Sequence, residues 1–201
     1  MMSLDEKEVD KSAVVQFEKW IVDAVNAEVN EPNAMVLSTV DKDGLPHSRI
    51  VLLRDISKKG FNFYTNYNSD KALDIEQQHH VALNFFWVDI ERQVRVEGKA
   101  EKLSLVESVE YYKNRPRESQ ISAWASPQSK VVSSRVELDA ARKSIEEHWK
   151  DKTEIEKPDF WGGYTVIPTM IEFWQGRPGR LHDRIRYRMH ENLWIVERLA
   201  P

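Results

Sequence analysis

Residues 34–53 read AMVLSTVDKDGLPHSRIVLL. Two apolar, β-branched runs, Ala34–Val40 and Pro46–Leu53, flank Asp41–Gly44, whose Asp-Gly pair turns the chain, so the segment is a β-hairpin. The same texture continues outward. Ser57–Gly60 turns into a third strand, Phe61–Thr65. A short helix covers Ser69–Gln78, with Ser69 at the N-cap. Val81–Val88 and Gln93–Glu101 are further strands, the first nearly all apolar and the second alternating. On the N-terminal side, Val14, Phe17, Ile21 and Val25 recur at helical spacing, so an amphipathic helix runs to about Val29 and Pro32 breaks it. Residues 1–12 read as a charged, disordered lead-in.

Beyond residue 101 the pattern turns helical. Leu105–Lys113 and Glu118–Trp124 are separated by Pro116, and Ser133–Lys150 is longer, with Val136, Ala140, Ile145 and Trp149 as its inward side. A linker, Glu154–Pro158, leads to Phe160–Gly163. Three strands close the chain: Thr169–Gln175, Arg184–Met189 and Trp194–Leu199. Many short strands with hairpin turns, interrupted by helices, predict a mainly β, α+β fold: an antiparallel barrel with helices packed outside it. No βαβ rhythm and no GxGxxG occurs. With no repeat and no domain-length linker, residues 13–201 are expected to form one domain.

The composition narrows the function. The chain has 201 residues, 41% hydrophobic and 31% charged, with net charge −4. An acidic background argues against a nucleic-acid surface and makes any local basic cluster a discrete anion site. There is no cysteine, which removes disulfides, thiolate catalysis and Cys-ligated metals and makes the cytoplasm the default compartment. No apolar run approaches the roughly 20 residues that span a bilayer, and the N-terminus has no signal-peptide pattern. A soluble intracellular protein is expected.

Three segments carry candidate chemistry. In IEFWQGRPGRLHDR (171–184), a strand end with Phe173 and Trp174 passes through Gly176, Pro178 and Gly179 into Arg180, His182, Asp183 and Arg184. Arg177, Arg180, Arg184, Arg186 and Arg188 face a single local acid, Asp183. Planar cations beside an aromatic wall suit a flat anionic ring, although exposed arginines of a hairpin explain the same letters. Alternation lets Arg180, His182 and Arg184 share a face with Asp183 turned away. Around residues 49–71, Arg49 and Arg54 fall on opposite faces of their strand, while Ser69 and Lys71 open a helix as either a phosphate cradle or an ordinary cap. Arg115-Pro116-Arg117 with Tyr111 and Ser119 forms a second anion site or a solvated helix junction. Gln128 and Ser129 donate to a ligand or merely turn the chain. His79 and His80 are adjacent and no HExxH exists, so no metal is expected.

Taken in order, RIVLLR (49–54), FYTNYNSDKA (63–72), ERQVRVEGKAEKLS (91–104), YYKNRPRESQISAWASPQS (111–129), FWGGY (160–164), IEFWQGRPGRLHDR (171–184) and ERLAP (197–201) resemble the pyridoxine/pyridoxamine 5′-phosphate oxidase family. The resemblance runs from about Asn33 to the last residue. It implies an FMN-binding split barrel of Greek-key type, forming a homodimer with FMN between subunits. It assigns FMN contacts to Arg49, Ile50, Val51, Leu52, Leu53, Arg54, Tyr64, Thr65, Lys71, Gln128 and Ser129, with Gln93, Trp174 and Arg184 reaching the flavin from other segments. The substrate phosphate falls to Arg54, Tyr111, Arg115 and Ser119, and Arg180 and His182 lie against the pyridine ring as the catalytic pair. The implied reaction oxidises pyridoxamine or pyridoxine 5′-phosphate to pyridoxal 5′-phosphate, passing hydride to FMN and then electrons to dioxygen, with hydrogen peroxide released.

Three positions depart from the family pattern. Arg54 stands where the family commonly has lysine, which keeps the charge but not the shape. Asp70 stands where an arginine commonly precedes the helix lysine. The family's N-terminal Arg/Tyr segment has no counterpart in residues 1–12. The competing readings are a non-catalytic FMN or pyridoxal-phosphate binding protein, and a split-barrel flavin reductase with another substrate.

Overall fold

Alternating burial builds the sheet. In β1 (Ala34–Val40) Met35, Leu37 and Thr39 are buried, and in β5 (His80–Trp87) Val81, Leu83, Phe85 and Trp87 are. One face is therefore dry and the other available. The computed structural model describes residues 4–201. All strand pairings are antiparallel, in the order β2 (Pro46–Leu52), β1, β5, β6 (Arg92–Lys102), β7 (Trp161–Gln175), β4 (Phe61–Asn66), β3 (Asp55–Ile56). β8 (Asp183–His190) and β9 (Leu193–Arg198) extend from β7. The fork lies in β7. Its first half, Trp161–Val166, pairs with β4, and its second half, Met170–Gln175, pairs with β8. The sheet curls and splits there, giving a split β-barrel.

β7 is longer than the sequence predicts. The expected strand begins at Thr169, yet the observed one starts at Trp161 and runs through Gly162, Gly163 and Pro168. Proline has no N–H to give a ladder, and it is tolerated here beside a register shift at Glu97/Gly98 of β6. A Cβ on Gly98 would lie 2.2 Å from the Ile167 carbonyl oxygen, so only glycine admits this close approach.

The main core gathers on the dry face. Helix α1 (Ala13–Asn26), capped by the Ser12 hydroxyl, sets Phe17 against Phe61 and Phe85, both with ring centroids at 4.9 Å. A smaller apolar cluster of Tyr112, Ile121, Trp149, Ile155 and Trp161 binds α3 (Leu105–Lys113), α4 (Arg117–Ala125) and α5 (Arg135–Trp149) to the start of β7. α2 (Asp70–Gln77) follows β4.

Two expectations are corrected. Residues 4–12 of the expected disordered lead-in are tied down: Leu4 is buried, its N–H donates to Asp183, Arg198 bonds Glu6 and the Leu4 carbonyl, and the Tyr187 hydroxyl donates to the Asp10 carbonyl. These contacts cross almost the whole chain, so local composition does not reveal them. Residues 1–3 lie outside the described residues. On α5, Val136 and Ala140 are exposed, Ile145 is half-buried and only Trp149 is buried. The helix is held by its last turn, where Arg117 Nη2 donates to the Trp149 carbonyl at 2.6 Å.

Candidate active site

Lys71 is the first group that the fold leaves electrically unanswered. It follows Asp70 at the start of α2, directly after the turn that ends β4, and is buried. Its Nζ donates to Thr65 Oγ1 (3.3 Å), Ser69 Oγ (3.2 Å) and Gln128 Oε1 (2.9 Å), all neutral. Among the described residues no carboxylate pairs with it. Burial lowers its pKa from the ordinary 10.5, the nearby Arg49 charge lowers it further, and Asp70 opposes both. Arg49 donates to Thr39 Oγ1 (2.7 Å) and lies 3.7 Å from Asp74; burial lowers its pKa, against Asp74 and Asp70. Ser69 holds the N-cap position of α2, but its hydroxyl donates to the Asn66 carbonyl instead of capping the helix. The uncapped first turn and a buried ammonium together fit a phosphate.

A second cluster surrounds a cleft of about 320 Å³ bounded by Arg54, Tyr64, Tyr111, Arg115, Ser119 and Trp161. Tyr64, Tyr111 and Trp161 form a stack: Tyr64 and Tyr111 lie 3.7 Å apart at 7°, and Tyr64 and Trp161 5.4 Å apart at 11°. Gly163 permits this, since a Cβ there would come within 2.8 Å of the Tyr64 ring. Burial pushes the Tyr64 phenol up to about 12, so it stays a proton donor at neutral pH. The Arg115 guanidinium lies 4.6 Å over Trp161, and its Nη1 is buried without a hydrogen-bond partner. Burial lowers the Arg115 pKa; Tyr111 and Tyr112 oppose that, and Arg54 adds to it. Gln120 pins the connector bearing Arg115 by donating to the Tyr112, Lys113 and Arg115 carbonyls. Arg49 and Arg54 thus lie in separate places; β2 ends at Leu52, so the strand-face expectation does not extend to Arg54.

Gln93, Trp174 and Arg184 make a third group, lined up in register across β6, β7 and β8. The His182 ring sits 4.7 Å from Trp174, and its Nδ1 accepts the Arg177 backbone N–H at 3.1 Å. Neutral His182 therefore carries its proton on Nε2. Arg180, His182 and Arg184 do not share a strand face, because β8 begins at Asp183 and Arg180 ends a short 3₁₀ turn with φ 63°. Four of the five local arginines find acids: Arg177 with Asp183, Arg184 with Glu172, Arg186 and Arg188 with Glu197. Although burial works the other way, the Arg177 and Arg198 hydrogen bonds hold the Asp183 carboxyl below its usual range. Among the described residues Arg180 alone of the five has no such partner.

Of the 49–54 strand, Ile50 is exposed, Val51 and Leu52 are half-buried, and the Leu53 side chain turns into the core, leaving only its backbone to meet a ligand. Ser129 is exposed with φ 67°. Trp161 and Gln120 were not singled out from sequence, although each lies inside a segment that carries the family resemblance, FWGGY and YYKNRPRESQISAWASPQS.

An antiparallel split barrel with two separate cation clusters, one of them lined by stacked aromatic rings, defines a protein suited to phosphorylated aromatic molecules. Comparison with known proteins agrees. A model described as pyridoxamine 5′-phosphate oxidase matches residues 21–149, and one described as the pyridoxine 5′-phosphate oxidase C-terminal dimerisation region matches residues 161–201. The chain is 50% identical over 200 residues to a pyridoxine/pyridoxamine 5′-phosphate oxidase of Salinibacter ruber, covering 98% of this chain and 93% of that one. It is 49% identical over 198 residues to one of Haemophilus influenzae, with the same coverage. The structure of PhzG from Burkholderia lata, in complex with tetrahydrophenazine-1-carboxylic acid, superposes with a TM-score of 0.94 at 25% identity, covering 100% of this chain and 98% of that one. A pyridoxamine 5′-phosphate oxidase-related, FMN-binding protein of Nostoc punctiforme shares the fold at 0.73 and 17% identity, over 92% and 97% of the two chains. The chain belongs to the pyridoxamine 5′-phosphate oxidase family.

Proposed function

We propose that this chain is an FMN-dependent oxidase that converts pyridoxamine and pyridoxine 5′-phosphates to pyridoxal 5′-phosphate. The observation that carries the reading is a pair of cations that no carboxylate among the described residues answers: buried Lys71, bonded only to neutral groups, and half-buried Arg115, whose Nη1 is buried unbonded and whose guanidinium lies over Trp161 of the aromatic stack. A buried, unpaired charge is costly, and two phosphates would relieve both.

FMN fits the residues present. Arg49, Thr65, Lys71, Gln128 and Ser129 would hold its phosphate and ribityl chain, with the backbone of residues 50–54 and Tyr64 alongside. When bound, FMN supplies the hydride acceptor, which dioxygen restores with release of hydrogen peroxide. Arg54, Tyr111, Arg115 and Ser119 would clamp the substrate phosphate, a fork-on-phosphate geometry that arginine suits. Arg180, left free of acids, would orient the pyridine ring and answer negative charge as it develops. His182, fixed by Arg177, would offer Nε2–H as a hydrogen-bond donor. The carboxylic-acid ligand of the Burkholderia neighbour needs no phosphate clamp, and here the Arg54–Arg115–Ser119 set favours a phosphorylated substrate.

Two subunits are needed on this reading. Trp161, beside the phosphate clusters, and Trp174, in the Gln93–Trp174–Arg184 row, are thirteen residues apart on β7, roughly 40 Å of extended strand. A homodimer placing one copy's row against the other's clusters would bring the two together across the subunit interface. The match to a C-terminal dimerisation region supports this arrangement. No helix among the described residues is long and apolar enough to cross a membrane; with a cysteine-free composition, this supports a cytoplasmic enzyme, and residues 13–201 acting as one domain.

The test is direct. The purified protein should be yellow with FMN, and pyridoxamine 5′-phosphate in air should yield aldehyde and peroxide. A yellow but inert protein would move the weight to a carrier or a reductase.

A further inference from the structure

Glu172 is a buried acid that the proposed chemistry does not use. It lies in β7 on the face of Trp174, opposite the core side chains Ile171 and Phe173, and is only 4% exposed. Its register partners are Arg95 on β6 and Arg186 on β8. Arg186 turns instead to Glu197. The Glu172 carboxylate accepts from Arg184 Nε at 2.7 Å through Oε1 and from Arg95 Nη1 at 3.3 Å through Oε2.

Arg184 is held a second time, because its Nη1 donates to the Ala200 carbonyl at 3.0 Å. A planar guanidinium gripped at Nε and Nη1 has little freedom left, and its Nη2 has no protein acceptor among the described residues. The hydrogen bond that Arg184 donates to Glu172 also raises the Arg184 pKa. Desolvating a carboxylate on the outer face of a sheet is unfavourable unless its hydrogen bonds are well made. An apolar side chain would suit such a position if packing were the only demand.

We infer that Glu172 is a positioning residue that orients Arg184, so that the unpaired Nη2 edge is presented to the flavin beside Trp174 and Gln93. The inference rests on the proposed FMN reading and adds a residue to it. Arg95 completes the device by occupying the other carboxylate oxygen, which keeps Glu172 from turning away from Arg184.

The experiment titrates FMN into apoprotein, reading quenching of flavin fluorescence and the visible spectrum of the bound flavin. Wild type is compared with Glu172→Gln, Glu172→Asp, Arg184→Gln and the Glu172→Gln/Arg184→Gln double variant. Glu172→Gln is expected to weaken FMN binding roughly tenfold, the scale of one charge-assisted hydrogen bond, and to alter the bound spectrum. The double variant is expected to bind no more weakly than Arg184→Gln alone, since Glu172 acts through Arg184. Glu172→Asp keeps the buried charge but withdraws it, so it reports the same loss even if the glutamine variant fails to fold. Wild-type affinity and spectrum in either folded Glu172 variant would overturn the inference, as would full additivity in the double variant. A wild-type protein that binds no FMN would overturn the oxidase reading along with it.

Discussion

The two ends of β7 handle their arginines and lysines in opposite ways. At the Trp161 end, Lys71 has only neutral partners and Arg115 keeps a buried nitrogen unbonded. At the Trp174 end, Arg177, Arg184, Arg186 and Arg188 are each matched to an acid, and Arg180 is spared. The first end is arranged to receive anions, and the second ties down four of its five arginines and, among the described residues, leaves Arg180 exposed and unpaired. Charge density alone would have ranked them the other way, because the second end is richer in arginine. A cation whose counter-charge the fold withholds is left open to an external anion, whereas a paired one such as Arg184 is held in place by its acid.

This contrast predicts which function each substitution removes. The largest effect is expected for Arg180→Ala, with kcat falling on the order of a hundredfold or more while FMN affinity holds, as for loss of a preorganised donor in a transition state. Steady-state kinetics with an FMN titration checks it, and loss of flavin would reassign Arg180 to the cofactor. Next, Lys71→Met should weaken FMN roughly a hundredfold, the upper range for a hydrogen-bonded charge, yet leave the apoprotein melting no lower, because a buried unpaired ammonium is gone. Arg115→Leu should raise KM for pyridoxamine 5′-phosphate about thirtyfold with FMN retained. If Lys71→Met and Arg115→Leu each disturb both ligands, the two clusters are not separate sites.

A smaller effect is expected at Asp70. This exposed acid lies at the first turn of α2 and opposes the Lys71 and Arg49 charges. Asp70→Asn should tighten FMN by roughly two- to fivefold at low salt, the size of one surface charge near a helix end, and less at high salt. The finest test uses pH. Lys71 has a folded pKa below its ordinary 10.5, so between those values the unfolded chain binds more protons and apoprotein stability rises with pH. Melting curves of wild type should therefore gain on Lys71→Met as pH climbs toward 10.5. Buried tyrosines such as Tyr64 and Tyr112, both raised to about 12, oppose this above 10 but cancel in the comparison. Parallel curves would mean that Lys71 is not strained by burial.

Much of this was legible before any coordinates. Apolar, β-branched runs bounded by turn residues identify β1, β2 and β4 to within a residue. Three–four spacing identifies α1 in the same way, and RPRES and RLHDR point to the two arginine-bearing segments. The failures share a cause. The strand expected from Thr169 in fact starts at Trp161, and its passage through Pro168 depends on Gly98 of another strand making room, which the local letters do not show. Residues 4–12 look unstructured because their partners, Asp183, Tyr187 and Arg198, are nearly a chain length away. α5 reads as amphipathic but touches the domain mainly through Trp149.

The amino-acid sequence by itself determines the five α-helices and all the strands of the described residues except β3 and the first half of β7, the acidic background against which basic clusters stand out, and the family. Tertiary structure decides which charges are left over. Arg184 and Arg180 are equivalent letters four residues apart, and only the closeness of Glu172 across the sheet makes one of them paired and the other free. Pairing depends on distance in space, and electrostatic energy falls with that distance in a medium set by burial. Neither quantity exists in the linear chain until the sheet has folded.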